Sequence, residues 1–82
     1  MRIVWDEPKR LSNIDKHGLD FADVGIDFFL DALVIPARAG RFVAIGELNG
    51  EAVAVVFAKH GVEAVSVISM RSASRKERML LK

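Results

Sequence analysis

Two stretches of this chain hold the side chains best suited to moving protons and gripping phosphates. NIDKHGLDF, residues 13–21, sets Lys16 and His17 side by side just ahead of Gly18. SMRSASRKER, residues 69–78, holds Arg71, Arg75, Glu77 and Arg78, and Lys82 ends the sequence. Imidazole is the side chain that ordinarily changes charge near neutral pH, so His17 could carry a proton. Arginine presents a flat fork of N–H donors that matches a phosphate edge, so Arg71 and Arg75 could clamp one. Each feature also has a plainer account. Lys16 and His17 suit the last turn of a helix, where cations complement the dipole, and spacing alone favours that account. The second histidine, His60, lies in a near copy of the tripeptide, KHG at 59–61, and reads as a turn residue beside Gly61. Ser74 and Glu77 have the S-x-x-E spacing of a capping box. Arg75, Arg78 and Lys82 recur at i, i+3 and i+7 on one helix face, which can be simply a solvated one.

The elements that must position these residues show in the period of the apolar side chains. RIVW, residues 2–5, reads as a short strand. Asp6 and Pro8 mark a helix start, and Gly18 suits the left-handed residue that ends a helix after His17. A second helix is predicted at once from an Asp20 cap. Leu19 and Val24 stand at the positions of a hydrophobic staple, and Phe21, Val24 and Phe28 form one buried stripe. Asp23, Asp27 and Asp31 fall on its wet face. From residue 33 the period becomes extended. LVIP, 33–36, reads as an edge strand because proline lacks a ladder donor. RFVAIGEL, 41–48, and EAVAVVFA, 51–58, flank Asn49-Gly50, a strong hairpin signal. VEAVSVIS, 62–69, follows through the KHG turn as the third strand of a meander, and SRKERMLLK, 74–82, is helical. The predicted class is α+β: a small antiparallel β-sheet with two N-terminal helices and one C-terminal helix. The expected order is β-α-α-β-β-β-β-α, in one domain over residues 1–82.

Composition narrows the function classes. The chain is 51% hydrophobic, enough for a compact core in a small domain. It has no cysteine, so disulfides and thiolate metal sites are excluded. No apolar run approaches the roughly 18 residues a bilayer span needs, and the first residues lack the apolar stretch of a signal peptide. A cytosolic protein with no membrane contact is the default expectation. A net charge of +1 hides a gradient. Residues 1–35 are net −3, residues 36–70 are neutral, and residues 71–82 are net +4. Such a basic end attracts phosphates or an acidic partner. There is no P-loop, dinucleotide fingerprint or nucleophile elbow, and two histidines in separate elements leave little for a metal. No cofactor and no metal are expected.

Taken together, WDEPKRLSNIDKHGLDF, RFVAIG and VISMRSASRKER resemble the BrnT family of toxins from bacterial type II toxin–antitoxin modules. That family pairs WDExKxxxNxxKHGxxF near the N-terminus with R-x-I-S-x-R-x-A-x-x-x-E-R near the C-terminus. The resemblance spans essentially the whole chain. It implies a fold like that of the RelE-type toxins and a metal-independent ribonuclease that blocks translation. It also implies a cognate antitoxin, a ribbon-helix-helix protein of the BrnA type, through which alone the complex reaches operator DNA. Lys16 and His17 match the family's Lys-His pair, Arg71 its strand-end arginine, and Glu77 and Arg78 its C-terminal Glu-Arg. The catalytic set implied is Lys16, His17, Arg71 and Glu77, with Arg75, Arg78 and Lys82 on the RNA. Two residues depart from the pattern: Ser66 stands at an arginine position and Leu81 at one that is commonly aromatic.

Metal-free RNA cleavage needs a base for the 2′-OH, cations for the phosphate, and an acid for the leaving 5′-oxygen. His17 and Glu77 are the candidates for base and acid, and the sequence does not divide the two roles between them. The competing reading is a non-catalytic module that binds RNA or protein, such as a degenerate toxin that only occupies its antitoxin.

Overall fold

The computed structural model describes residues 1–81. Strand β1, Arg2–Trp5, leads through Asp6 into helix α1, Glu7–His17. Proline in the first turn costs no hydrogen bond there, and Gly18 closes the helix at φ 68° with its N–H bonded to the Ile14 carbonyl. The second predicted helix is broken. Asp20 does cap the next turn, its side chain accepting from the Ala22 N–H at 2.9 Å. That turn is only a 3-10 turn over Phe21–Asp23, and helix α2 spans Ile26–Asp31 after an extended Gly25. A β-branched residue followed by glycine is a poor place to continue a helix. The break still lets Phe21, Val24 and Phe28 enter one core, at 0%, 4% and 6% exposure.

Four more strands follow: β2 Leu33–Pro36, β3 Arg41–Leu48, β4 Glu51–His60 and β5 Ala64–Ser72. Asn49 and Gly50 both take positive φ, 51° and 81°, and form the tight β3–β4 turn. Helix α3, Arg75–Leu80, closes the described chain. The sheet order is β1-β5-β4-β3-β2. Strands β2 to β5 pair antiparallel, but β1 runs parallel to β5, so the sheet is mixed and not purely antiparallel. The two ends of the chain meet in that pair, and no local turn dictates its direction. One face of the sheet, with Val53, Val55, Val67 and Met70, packs under Phe21, Val24 and Phe28. Gly46 lets the ring sit close: a Cβ there would lie 3.0 Å from the Phe28 ring, which would have to give way.

Candidate active site

Helix α1 carries Lys9, Ser12, Asn13 and Lys16 at three- and four-residue spacings, so they share one side of the helix. That side faces β5. A shallow groove of about 250 Å³ is lined by Lys9, Ser12, Asn13, Lys16 and His17 from α1 and by Ile68 and Ser69 from β5. The joint is fixed by Asn13, which is 5% exposed. Its Nδ2 donates to the Leu19 carbonyl at 3.0 Å, and its Oδ1 accepts from the Met70 N–H at 3.0 Å. The β1–β5 ladder ends at Trp5 opposite Val67. Asn13 therefore serves the β5 backbone where no strand remains to do so.

A bulge in β5 decides which way its next side chains point. Val56 of β4 pairs with Ser69 and Phe57 with Val67, which leaves Ile68 as the extra residue. Val67 faces the core. Unbroken alternation would send Ser69 and Arg71 to that same side. The extra residue reverses the sequence, so Met70 is in the core at 0% exposure and Arg71 emerges on the other face. Arg71 lies two residues beyond Ser69 of the groove, roughly 7 Å along the strand.

Arg71 is held there as a fork. Its Nη1 and Nη2 donate to the two oxygens of Glu77 at 2.7 and 3.0 Å. The same carboxylate completes the capping box of α3, accepting from the Ser74 N–H at 2.8 Å while Ser74 Oγ accepts from the Glu77 N–H at 3.2 Å. The Arg71 guanidinium, and next the Ser74 N–H, bring the Glu77 carboxyl down from an ordinary 4.5 to about 2. Glu77 in turn raises Arg71.

The remaining residues separate clearly. Arg75 is exposed. Arg78 is exposed as well, but its Nη1 donates to the Ala73 carbonyl at 2.8 Å, so it does not share Arg75's freedom. Lys82 lies outside the described residues. His60 ends β4 opposite Ala64, whereas Arg71 pairs with Ala54, which puts the second histidine about 20 Å away along the sheet. Leu81 lines a different groove, beside Asp27 and Glu47. Among the described residues no three His, Cys, Asp or Glu side chains gather as a metal-holding group, and no helix is long and apolar enough to cross a membrane. Sequence reading gave no role to Asn13, Ser12 or Lys9, although Lys9 and Asn13 are fixed positions of the family pattern and their helical spacing with Lys16 was a usable signal. Nothing local in the sequence announced the bulge at Ile68.

Fold and site define a small α+β domain with a cation-lined groove at a helix–strand joint, a surface suited to a polyanion. Residues 5–77 match the family described as ribonuclease toxin, BrnT, of type II toxin–antitoxin systems. The chain belongs to that family of ribonuclease toxins. It is also similar to the ribonuclease toxin BrnT of Brucella abortus, solved by crystallography at 1.1 Å, with 62% identity and a TM-score of 0.86. The match covers 92% of this chain and 99% of that one. Among curated proteins none matches.

Proposed function

We propose that this toxin cleaves RNA in the α1–β5 groove with side chains alone. The observation that carries the reading is the joint itself: Lys16 and His17 line one wall, Ser69 the other, and the Glu77-held Arg71 lies just beyond. His17 takes the proton from the 2′-OH as its oxygen bonds to phosphorus, the P–O5′ bond breaks, and water in the open groove supplies the proton to the leaving 5′-oxygen. Lys16 and Arg71 bind the scissile phosphate and the charge that develops on it, which is the work a metal ion would otherwise do. Glu77 positions Arg71. A carboxyl held near 2 is ionised at neutral pH and is a poor proton donor to the leaving oxygen. Arg75, Arg78 and Lys82 serve the flanking RNA backbone.

We further infer a single toxin domain related to the RelE type, acting in the cytoplasm to block translation. Its antitoxin is a BrnA-like ribbon-helix-helix protein that alone contacts operator DNA. The test of the cleavage reading is a fluorogenic RNA oligomer incubated with purified toxin in excess EDTA. Cleavage should persist, His17→Ala should lose at least about a hundredfold, and His60→Ala less than about threefold. Loss of activity in EDTA with rescue by a divalent ion, or equal losses at the two histidines, would overturn it.

A further inference from the structure

The flank opposite the cleavage groove is apolar and acidic. It lies at the β2 edge of the sheet, whereas α1 packs at the β1–β5 edge. Ile26, Leu30, Leu33 and Val34 are 45%, 76%, 40% and 44% exposed there. Ile26 and Leu30 are one helical turn apart on α2, and Leu33 and Val34 continue into β2. Beside them a groove of about 570 Å³ separates α2 from the β3–β4 turn. Its apolar lining includes Phe28, Leu48 and Leu81, and Asp23, Asp27, Asp31 and Glu47 add four carboxylates. None of the four is in an ion pair among the described residues. Clustered like charges next to exposed leucine and isoleucine are a costly arrangement for a free surface, and one that a basic, apolar partner relieves.

Three occupants can be weighed on this geometry. Nucleic acid is repelled by the carboxylates. An added β-strand finds little to pair with. The Ala37 N–H bond to the Arg41 carbonyl sets the phase of the β2–β3 ladder, so Val34 and Pro36 turn their backbone outward. Proline has no N–H to offer, so Val34 supplies the only outward donor of the strand. A second copy could insert its basic α3, but the donor and acceptor patches then differ, and such head-to-tail contacts grow into open chains unless the rotation closes.

We propose that this flank docks a basic amphipathic segment of the antitoxin. Its apolar side chains lie on Ile26, Leu30 and Leu33, and its lysines or arginines meet Asp27, Asp31 and Glu47. The inference rests on the reading that the partner is a DNA-binding antitoxin, a class of protein that carries surplus positive charge. It makes gripping the toxin separable from blocking its groove.

The test is calorimetric titration of the purified cognate antitoxin into three toxins: wild type, Asp27→Lys with Asp31→Lys, and Leu30→Ser. Each variant should bind at least about tenfold more weakly, as loss of central interface contacts commonly does. Circular dichroism should be unchanged, and RNA cleavage by the free toxin should stay within about twofold, since none of these residues lines the cleavage groove. Antitoxin affinity within about twofold of wild type in both variants overturns the proposal. Self-association of the wild type that the same substitutions abolish, with antitoxin affinity kept, assigns the flank to a second copy and also overturns it. A wild type that binds antitoxin but cleaves no RNA defeats the proposed cleavage chemistry and leaves the affinity comparison valid.

Discussion

Glu77→Gln separates the charge of this residue from its capping role, because glutamine also serves the third position of a capping box. The wild-type carboxyl stands at about 2 against an ordinary 4.5, chiefly through its bonds to Arg71. A displacement of that size would be worth about 3 kcal/mol if none of it were screened. Arg71 is 41% exposed while Glu77 is 17%, so water damps the pair and about 1–2 kcal/mol is expected. The folded-state value is the depressed one. The contribution is therefore complete above the unfolded value near 4.5 and is lost as pH falls through about 2. Thermal melts should show Glu77→Gln lowering Tm by roughly 5–12 °C at about pH 7, and by less than half of that at about pH 3. Cleavage rates give the second readout. A group that only orients Arg71 should cost roughly tenfold when neutralised and leave the neutral limb of the pH–rate curve in place. Disappearance of that limb in Glu77→Gln would show that Glu77 carries the proton. A Tm loss that does not depend on pH would show that the pair stabilises by packing alone. Either result refutes the reasoning.

Three other substitutions probe the frame around the site. Asn13→Ala strands the Met70 N–H and the Leu19 carbonyl, and urea unfolding should register a loss of about 2–4 kcal/mol. Asn49→Val puts a β-branched residue at φ 51° and should cost about 1 kcal/mol or more in the same assay, with cleavage by the folded fraction unchanged. Arg75→Gln, exposed and outside the capping box, should flatten the salt dependence of RNA binding by about one unit in a filter or fluorescence titration. An unchanged slope there would mean that the basic face of α3 is only solvated.

Much of the fold was legible because it was local. The α1 boundaries, the Gly18 stop, the Asn49-Gly50 turn, the Pro36 edge strand and the Ser74–Glu77 box each depend on residues a few positions apart. What escaped depends on distant partners. The parallel β1–β5 pair joins the two ends of the chain. The bulge at Ile68 exists only relative to the β4 register. The exception is the second helix, whose break at Val24-Gly25 is local and was masked by the helical spacing of Phe21, Val24 and Phe28. The site shows the same division. Lys16, His17, Arg71 and Glu77 could be named as candidates from residue type and resemblance. That Glu77 is spoken for by Arg71, and that Asn13 rivets the joint, came only from the contacts.

The parallel pairing of β1 with β5 also sets when the α1–β5 groove can form during synthesis. Residues 2–17 are synthesised first, yet the strand they rest on, residues 64–72, is the last one made. At bacterial elongation rates of roughly 5–20 residues per second, β1 waits about 3–12 s for its neighbour. During that interval His17 has no opposite wall, and Arg71 does not yet exist. Until that last strand has been made the α1–β5 groove has only one wall, and the parallel pair can close only afterwards. An antitoxin already present at that moment meets a target that has only just acquired its shape.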